Sequence, residues 1–367
     1  MEPISLFYPN IYKEEWLAEL STVFDTRWIG QGPLVDEFEK QFGKKFGYDY
    51  CLALNSGTSA LELAYHLAGI GEGDEVLTPV FTCTATNIPL LRRKANIKFL
   101  DINTVFAADF HDVESKISPD TKAIVVVTVG GVLIDDRIFD LAQSYDVPVI
   151  IDSAQSLGVR ESRGDYICYS FQAIKHFTTG DGGMLVMRNE EDYQRAKKLR
   201  WFGIDREAKK RANWQWLNNH QMTMDIEEAG YKYHMNDIAA AMGIVGLRHS
   251  DEVLHHRRTL CDYYAEDLTD REPDDYEVIY GGSCWLLMLL TSHRDETMEY
   301  LRENGIECDL VQIRNDVFKV FGGRQKLPNM DRMESQYLYL PLHPKMSIDD
   351  VVYITGVLEK CAKSKST

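Results

Sequence analysis

At 367 residues the chain exceeds the roughly 250–300 at which a single core stops growing, so a large and a smaller domain are expected. Hydrophobic residues make up 44% and charged residues 26%, the balance of a folded rather than a disordered chain. Forty Lys and Arg against 57 Asp and Glu leave a formal charge of −17, which excludes nucleic acid as the main partner, because phosphate backbones demand a basic face.

The opening MEPISLFYPN has no cationic stretch followed by an apolar core, so no secretory signal is read. The longest apolar run, Ala123 to Ile134, falls short of the roughly 20 residues that span a bilayer, so a cytoplasmic protein without a membrane partner is expected. From residue 50 to 190, short apolar strands alternate with helical segments, the pattern of an α/β sheet. The expected strands are Cys51–Leu54, Glu75–Thr78, Ile97–Asp101, Ala123–Val129, Val147–Ile151, Ile167–Ser170 and Met184–Met187. Seven strands predict one broad, mostly parallel sheet flanked by helices. Glu191 to Arg211 reads as helical and basic. After Ser250 comes an αβ pattern with strands at Trp285–Leu290 and Tyr337–Leu340, a loop at Gly322-Gly323 and a final helix. This predicts a large domain over 1–249, its N-terminal segment touching the small one, and a small domain over 250–367. The seven cysteines are odd in number and lack CxxC pairs, so neither a metal site nor a disulfide framework is expected.

Three segments carry possible chemistry. In Asn55-Ser56-Gly57-Thr58-Ser59-Ala60-Leu61-Glu62 a strand ends in small hydroxyl residues, and Ser59 with Glu62 fits an S-x-x-E capping box. The segment is either a well-capped helix or a helix start offering N–H groups to a phosphate. In Val147–Gln155 an apolar strand delivers Asp152 at its C-terminal edge, where ligands of open α/β sheets sit; Asp152 is either an N-cap or a carboxylate aimed at a ligand. Lys175 follows the apolar run Tyr169–Ile174 and precedes the turn Gly180–Gly183. It is either a surface lysine beside a loop or a buried amine with a depressed pKa, able to attack a carbonyl.

Together these segments, with Lys175 placed 23 positions after Asp152, resemble the fold-type I pyridoxal-5'-phosphate (PLP) enzymes. Within them the chain is similar to the DegT/DnrJ/EryC1/StrS sugar aminotransferases. The matching stretches are Trp28–Pro33, Asn55–Leu61, Asp152–Gln155, Ser170–Lys175 with Gly180–Gly183, Gly230–Tyr233 and Leu340–Pro344, nearly the whole length.

The resemblance implies that Lys175 holds PLP through a Schiff base and then shuttles a proton as general base and acid, and that Asp152 pairs with the ring nitrogen. It places Gln155 near the ring, and Gly57, Thr58, Ser59 and Ser170 around the phosphate. Two positions depart from the family pattern: Cys83 stands where many relatives carry an aromatic residue over the ring, and Lys232 where many carry Asn in a segment reaching the neighbouring subunit's phosphate. The implied reaction moves nitrogen from an amino acid, L-glutamate (yielding 2-oxoglutarate), to a keto group at C3 or C4 of a nucleotide-linked deoxy-sugar, in a homodimer with shared active sites. Trp28 and Arg314 are candidate substrate contacts. Lys175 argues against the family's dehydratases, which carry histidine there. The competing functions are a PLP-dependent lyase on an amino acid and a non-catalytic regulator with the same fold.

Overall fold

A computed structural model describes residues 3–218, 221–222, 224–269 and 275–365. Strands β1 (Tyr50–Leu54), β2 (Glu75–Pro79), β3 (Asn96–Leu100), β4 (Thr121–Val127), β5 (Val149–Asp152), β6 (Tyr166–Ser170) and β7 (Gly183–Met187) form one sheet in the order β1-β7-β6-β5-β4-β2-β3. All seven expected segments are strands, with ends moved by one or two residues. β7 runs antiparallel to both neighbours, and every other pairing is parallel.

Helices cover both faces: α1 (Lys13–Thr26), α2 (Pro33–Phe46), α3 (Gly57–Leu67), α4 (Thr84–Arg92), α5 (Phe110–Lys116), α6 (Asp136–Ser144), α7 (Glu190–Leu199), α8 (Arg206–Arg211) and α9 (Asp237–Thr269). Successive side chains of a strand point to opposite faces. In β4, Ile124 and Val126 accordingly pack with Phe38 of α2, Ile138 of α6 and Ile244 of α9, whereas Ala123 and Val125 pack with Leu61 of α3, Leu90 of α4 and Ala196 of α7. Burial on both faces is why these strands read as uninterrupted apolar runs.

Strands β8 (Leu217–Asn218) and β9 (Gln221–Met222) form a short pair. A second, antiparallel sheet follows, built from β10 (Glu277–Ile279), β11 (Leu287–Leu290) and β12 (Tyr337–Leu340) and accompanied by α10 (Arg294–Glu303), α11 (Pro328–Met333) and α12 (Ile348–Lys365). Ile4 bridges to Ile306, bringing the N-terminal segment to this part. The expected division at 249/250 falls inside α9, which is continuous over 33 residues. Ala240 and Ile244 of its first half belong to the large-sheet core, and Leu260 and Tyr264 of its second half to the small-sheet core. One helix therefore serves both. Among the described residues no helix is long and apolar enough to cross a membrane, and no His/Cys/Asp/Glu group is arranged to hold a metal ion.

Candidate active site

The C-terminal edge of the large sheet gathers the three segments. At β1, Ser56 is extended and its hydroxyl accepts the Ser59 N–H at 3.0 Å, making Ser56 the N-cap of α3. The expected Ser59–Glu62 capping box does not form. Ser59 lies inside the first turn and donates to Asn55 Oδ1 at 2.7 Å, while Glu62 accepts the Tyr233 hydroxyl at 2.7 Å. Gly57 presses on the end of β6, where an added Cβ would lie 2.8 Å from Ser170 Cβ. The early start of α3 leaves the first N–H groups of the helix without intrahelical partners beside Ser170, a cradle suited to a phosphate.

Asp152 ends β5 and is buried. Its Oδ2 accepts the Thr86 hydroxyl at 2.7 Å and its Oδ1 the Ala154 N–H at 3.0 Å. Burial raises its pKa, and the Thr86 hydroxyl, the Ala154 amide and the Lys175 charge act against that. The Thr82 and Thr86 hydroxyls are 2.7 Å apart. Because Thr86 donates to Asp152, Thr82 must donate to Thr86. Asn315, from the C-terminal part, donates to the Thr82 carbonyl at 2.7 Å and accepts from Asn87 at 2.9 Å.

Lys175 lies in the loop joining β6 to β7. Phe171 donates to the Gly182 carbonyl and Thr179 to the Phe171 carbonyl, so the antiparallel pairing closes just below it. Gly183 is a steric necessity, since a Cβ there would strike the Ser56 carbonyl, whereas Gly180 meets nothing and is required by its φ of +81°. The Lys175 Nζ stands 3.8 Å from the centroid of the buried Trp285 ring, whose Nε1 donates to the Ile174 carbonyl at 3.0 Å. Burial pulls the Lys175 amine down to about 8, with Asp152 and then Cys83 acting to raise it. An amine near neutrality is a usable nucleophile and proton carrier. His176 Nε2 donates to the Ser283 carbonyl at 2.8 Å, and the His176 carbonyl accepts from Asn10 at 2.6 Å, pinning the loop to the N-terminal segment and the C-terminal part.

The remaining expected residues are placed unevenly. Gln155 is buried with its side-chain oxygen taken by the Gly130 N–H at 3.0 Å, leaving its NH2 as the end able to donate elsewhere. Cys83 is exposed, free, and just ahead of α4. Lys232 is exposed; its carbonyl accepts from Asn55 at 3.2 Å and its Nζ lies 5.5 Å from the Phe202 ring centroid. Trp28 packs beside Gly32 and lines a separate cleft between α2, α7 and α8. Arg314, expected as a candidate substrate contact, is 2% exposed, with its guanidinium taken up by Asp316, Asp331, Glu334 and the Gln325 carbonyl. Sequence reasoning missed Ser56, Thr86, Trp285 and Asn315. The i, i+4 spacing of Thr82 and Thr86 was a usable signal, but nothing local marked Trp285 or Asn315.

The residues fit PLP: a near-neutral amine, a buried carboxylate at the strand edge, and a helix start whose glycine leaves room beside Ser170. When bound, PLP supplies an electron sink for the substrate carbon. Lys175 would carry it and move the proton, Asp152 would sit against the ring nitrogen as an anion, and Thr86 would hold that anion in place. Fold and site together define a fold-type I, PLP-dependent aminotransferase.

The pattern of the DegT/DnrJ/EryC1/StrS aminotransferase family matches residues 10–359. The chain belongs to that family. It is 31% identical to the spore coat polysaccharide biosynthesis protein SpsC of Bacillus subtilis over 95% of this chain and 94% of that protein. Among solved structures, AtS13 from Actinomadura melliaura matches with a TM-score of 0.90 at 31% identity, covering 98% of this chain and 99% of that one. The sugar aminotransferase CalS13 from Micromonospora echinospora matches with a TM-score of 0.88 at 28% identity, covering 97% and 99%.

Proposed function

We propose that the protein transfers the amino group of L-glutamate to the keto group, at C3 or C4, of a nucleotide-linked deoxy-hexose, in the making of amino sugars for surface polysaccharide or glycosylated products. The observation that carries the reading is the buried Lys175 amine, its Nζ 3.8 Å from the Trp285 ring centroid at the sheet edge and lowered to about 8 by burial against the opposing charge of Asp152. The sugar half of the reading is supported by the name of CalS13, and the polysaccharide setting by that of SpsC.

The reading includes a twofold dimer, the commonest closed assembly. In it Lys232 of the partner subunit faces the phosphate held by Thr58 and Ser170. The exposed Lys232 side chain is available to meet a second subunit.

The test is spectroscopic. Purified holoenzyme should be yellow, bleach with L-glutamate, and recover colour with one member of a panel of nucleotide-linked keto-sugars. Colour that bleaches with an amino acid while releasing ammonia, with no keto-sugar restoring it, would replace this reading with a lyase.

A further inference from the structure

The cleft that holds Trp28 is cationic although the chain is strongly acidic. It has a volume of about 1320 Å³ and is lined by Lys40, Lys44, Lys197, Arg206 and Arg211 among others. The lining also carries Asp36, Glu39, Asp49, Asp205 and Glu207; Arg206 stands at one end, and Lys209, Trp201, Trp214 and Trp216 lie beside it, outside the lining. Arg206 makes one hydrogen bond, to the Gln31 carbonyl at 3.1 Å, and its Nε is buried without a partner. Its guanidinium lies 5.1 Å from the Trp201 centroid and 5.6 Å from that of Trp214. Lys209 is buried with its Nζ 4.0 Å from the Trp216 centroid and 5.4 Å from that of Trp201. Among the described residues neither cation has a carboxylate within ion-pair distance.

Three more buried polar atoms without partners belong to the same region: Gln31 Oε1, Arg200 Nε and His234 Nδ1. Burial, Lys232, Arg206 and Arg200 together hold the His234 imidazole down to about 4. Buried cations ordinarily pair. Arg200 has such a partner in Glu39, whereas Arg206 and Lys209 have none among the described residues and lie instead against aromatic faces, an arrangement suited to receive an anion.

We propose that Arg206 and Lys209, framed by Trp201, Trp214 and Trp216, hold the diphosphate of the nucleotide-linked substrate, with an indole stacking on the base. This rests on the function proposed above. Arginine grips phosphate as a two-pronged donor and lysine as a point charge; Trp214 and Trp216 are partly exposed, leaving ring surface on which a base can stack. Position agrees with the role. Trp201 bridges to Lys232, Lys232 touches Asn55, and Leu54 bridges to His234, so the cluster adjoins the β1–α3 turn that forms the phosphate cradle.

The experiment is calorimetric titration of holoenzyme with UDP, dTDP and uridine. Both diphosphates should bind and uridine should not. Arg206→Gln and Lys209→Met should each weaken diphosphate binding at least tenfold, about 1.4 kcal/mol. Arg206→Lys, which keeps the charge and the packing stem, should recover part of the loss, separating anion binding from misfolding. Variants that bind within twofold of wild type overturn the site, as does a wild type that binds neither diphosphate. If wild type aminates a keto-sugar nucleotide while these variants keep full affinity, this site falls and the proposed function stands. If wild type binds UDP or dTDP through Arg206 and aminates no nucleotide-linked keto-sugar, the proposed function falls instead.

Discussion

Replacing Lys175 by methionine should make the apoenzyme more stable. The amine falls from 10.5 to about 8 because burial penalises its charge. At 1.36 kcal/mol per pH unit that gap is about 3.4 kcal/mol at neutral pH. The Trp285 face returns about 1 kcal/mol to the protonated form, so a gain of about 2–3 kcal/mol is expected from a neutral side chain of similar length. The pH dependence has a fixed sign. Below pH 8 the lysine is charged in folded and unfolded chains alike and the full penalty stands. Between 8 and 10.5 the unfolded chain keeps a proton that the folded chain has released, so wild-type stability rises with pH. Urea unfolding of both apoproteins at several pH values reads the difference directly. It should be largest at pH 7 and shrink between pH 8 and 10.5. A Lys175→Met protein less stable than wild type at pH 7, or a difference indifferent to pH, refutes a lysine held at energetic cost for its chemistry.

Borohydride reduction of the holoenzyme and peptide mapping should place the pyridoxyl group on Lys175; a label on another lysine removes the central assignment. Asp152→Asn should fold normally yet lose 10²–10³ in turnover, because an ion pair at about 4 Å and an effective dielectric of about 20 is worth roughly 4 kcal/mol and each 1.36 kcal/mol is tenfold; near-normal transamination would show that its charge is not used. Arg314→Met should cost about 3–5 kcal/mol of stability by stranding the buried Asp316, and a thermally unchanged variant would contradict that structural role. Inactive Lys175→Ala and Lys232→Glu subunits, mixed under conditions of proven exchange, should regain activity because one site of the heterodimer keeps both residues; no recovery would reject a cross-subunit Lys232.

The strands of the large sheet were legible because burial on both faces leaves continuous apolar runs such as Ala123–Val127, and a parallel sheet places its ligands at one edge. Their neighbours in the chain left Asp152 and Lys175 open, and only the spacing shared with the resembling family singled them out as candidates for chemistry. The start of α3 was not: S-x-x-E at Ser59 and a cap at Ser56 are equally good local patterns, and the choice fell to Gly57, which alone fits against Ser170 from β6. The expected division at 249/250 fell within the 33-residue α9, because its two halves bury against different sheets without a break in the helix. Arg314 read as a candidate substrate contact, and only the fold shows Asp316, Asp331 and Glu334 around it. Trp285 looked like the first residue of a strand, yet its ring stands under Lys175, 110 positions earlier in the sequence. What the sequence determined by itself was the periodicity of burial and which residues are candidates for the chemistry. Which groups face one another, and so the lowered Lys175 amine and the Thr82–Thr86–Asp152 chain, was decided only by the tertiary structure, because charge and hydrogen bonding act through space between residues that the chain keeps far apart.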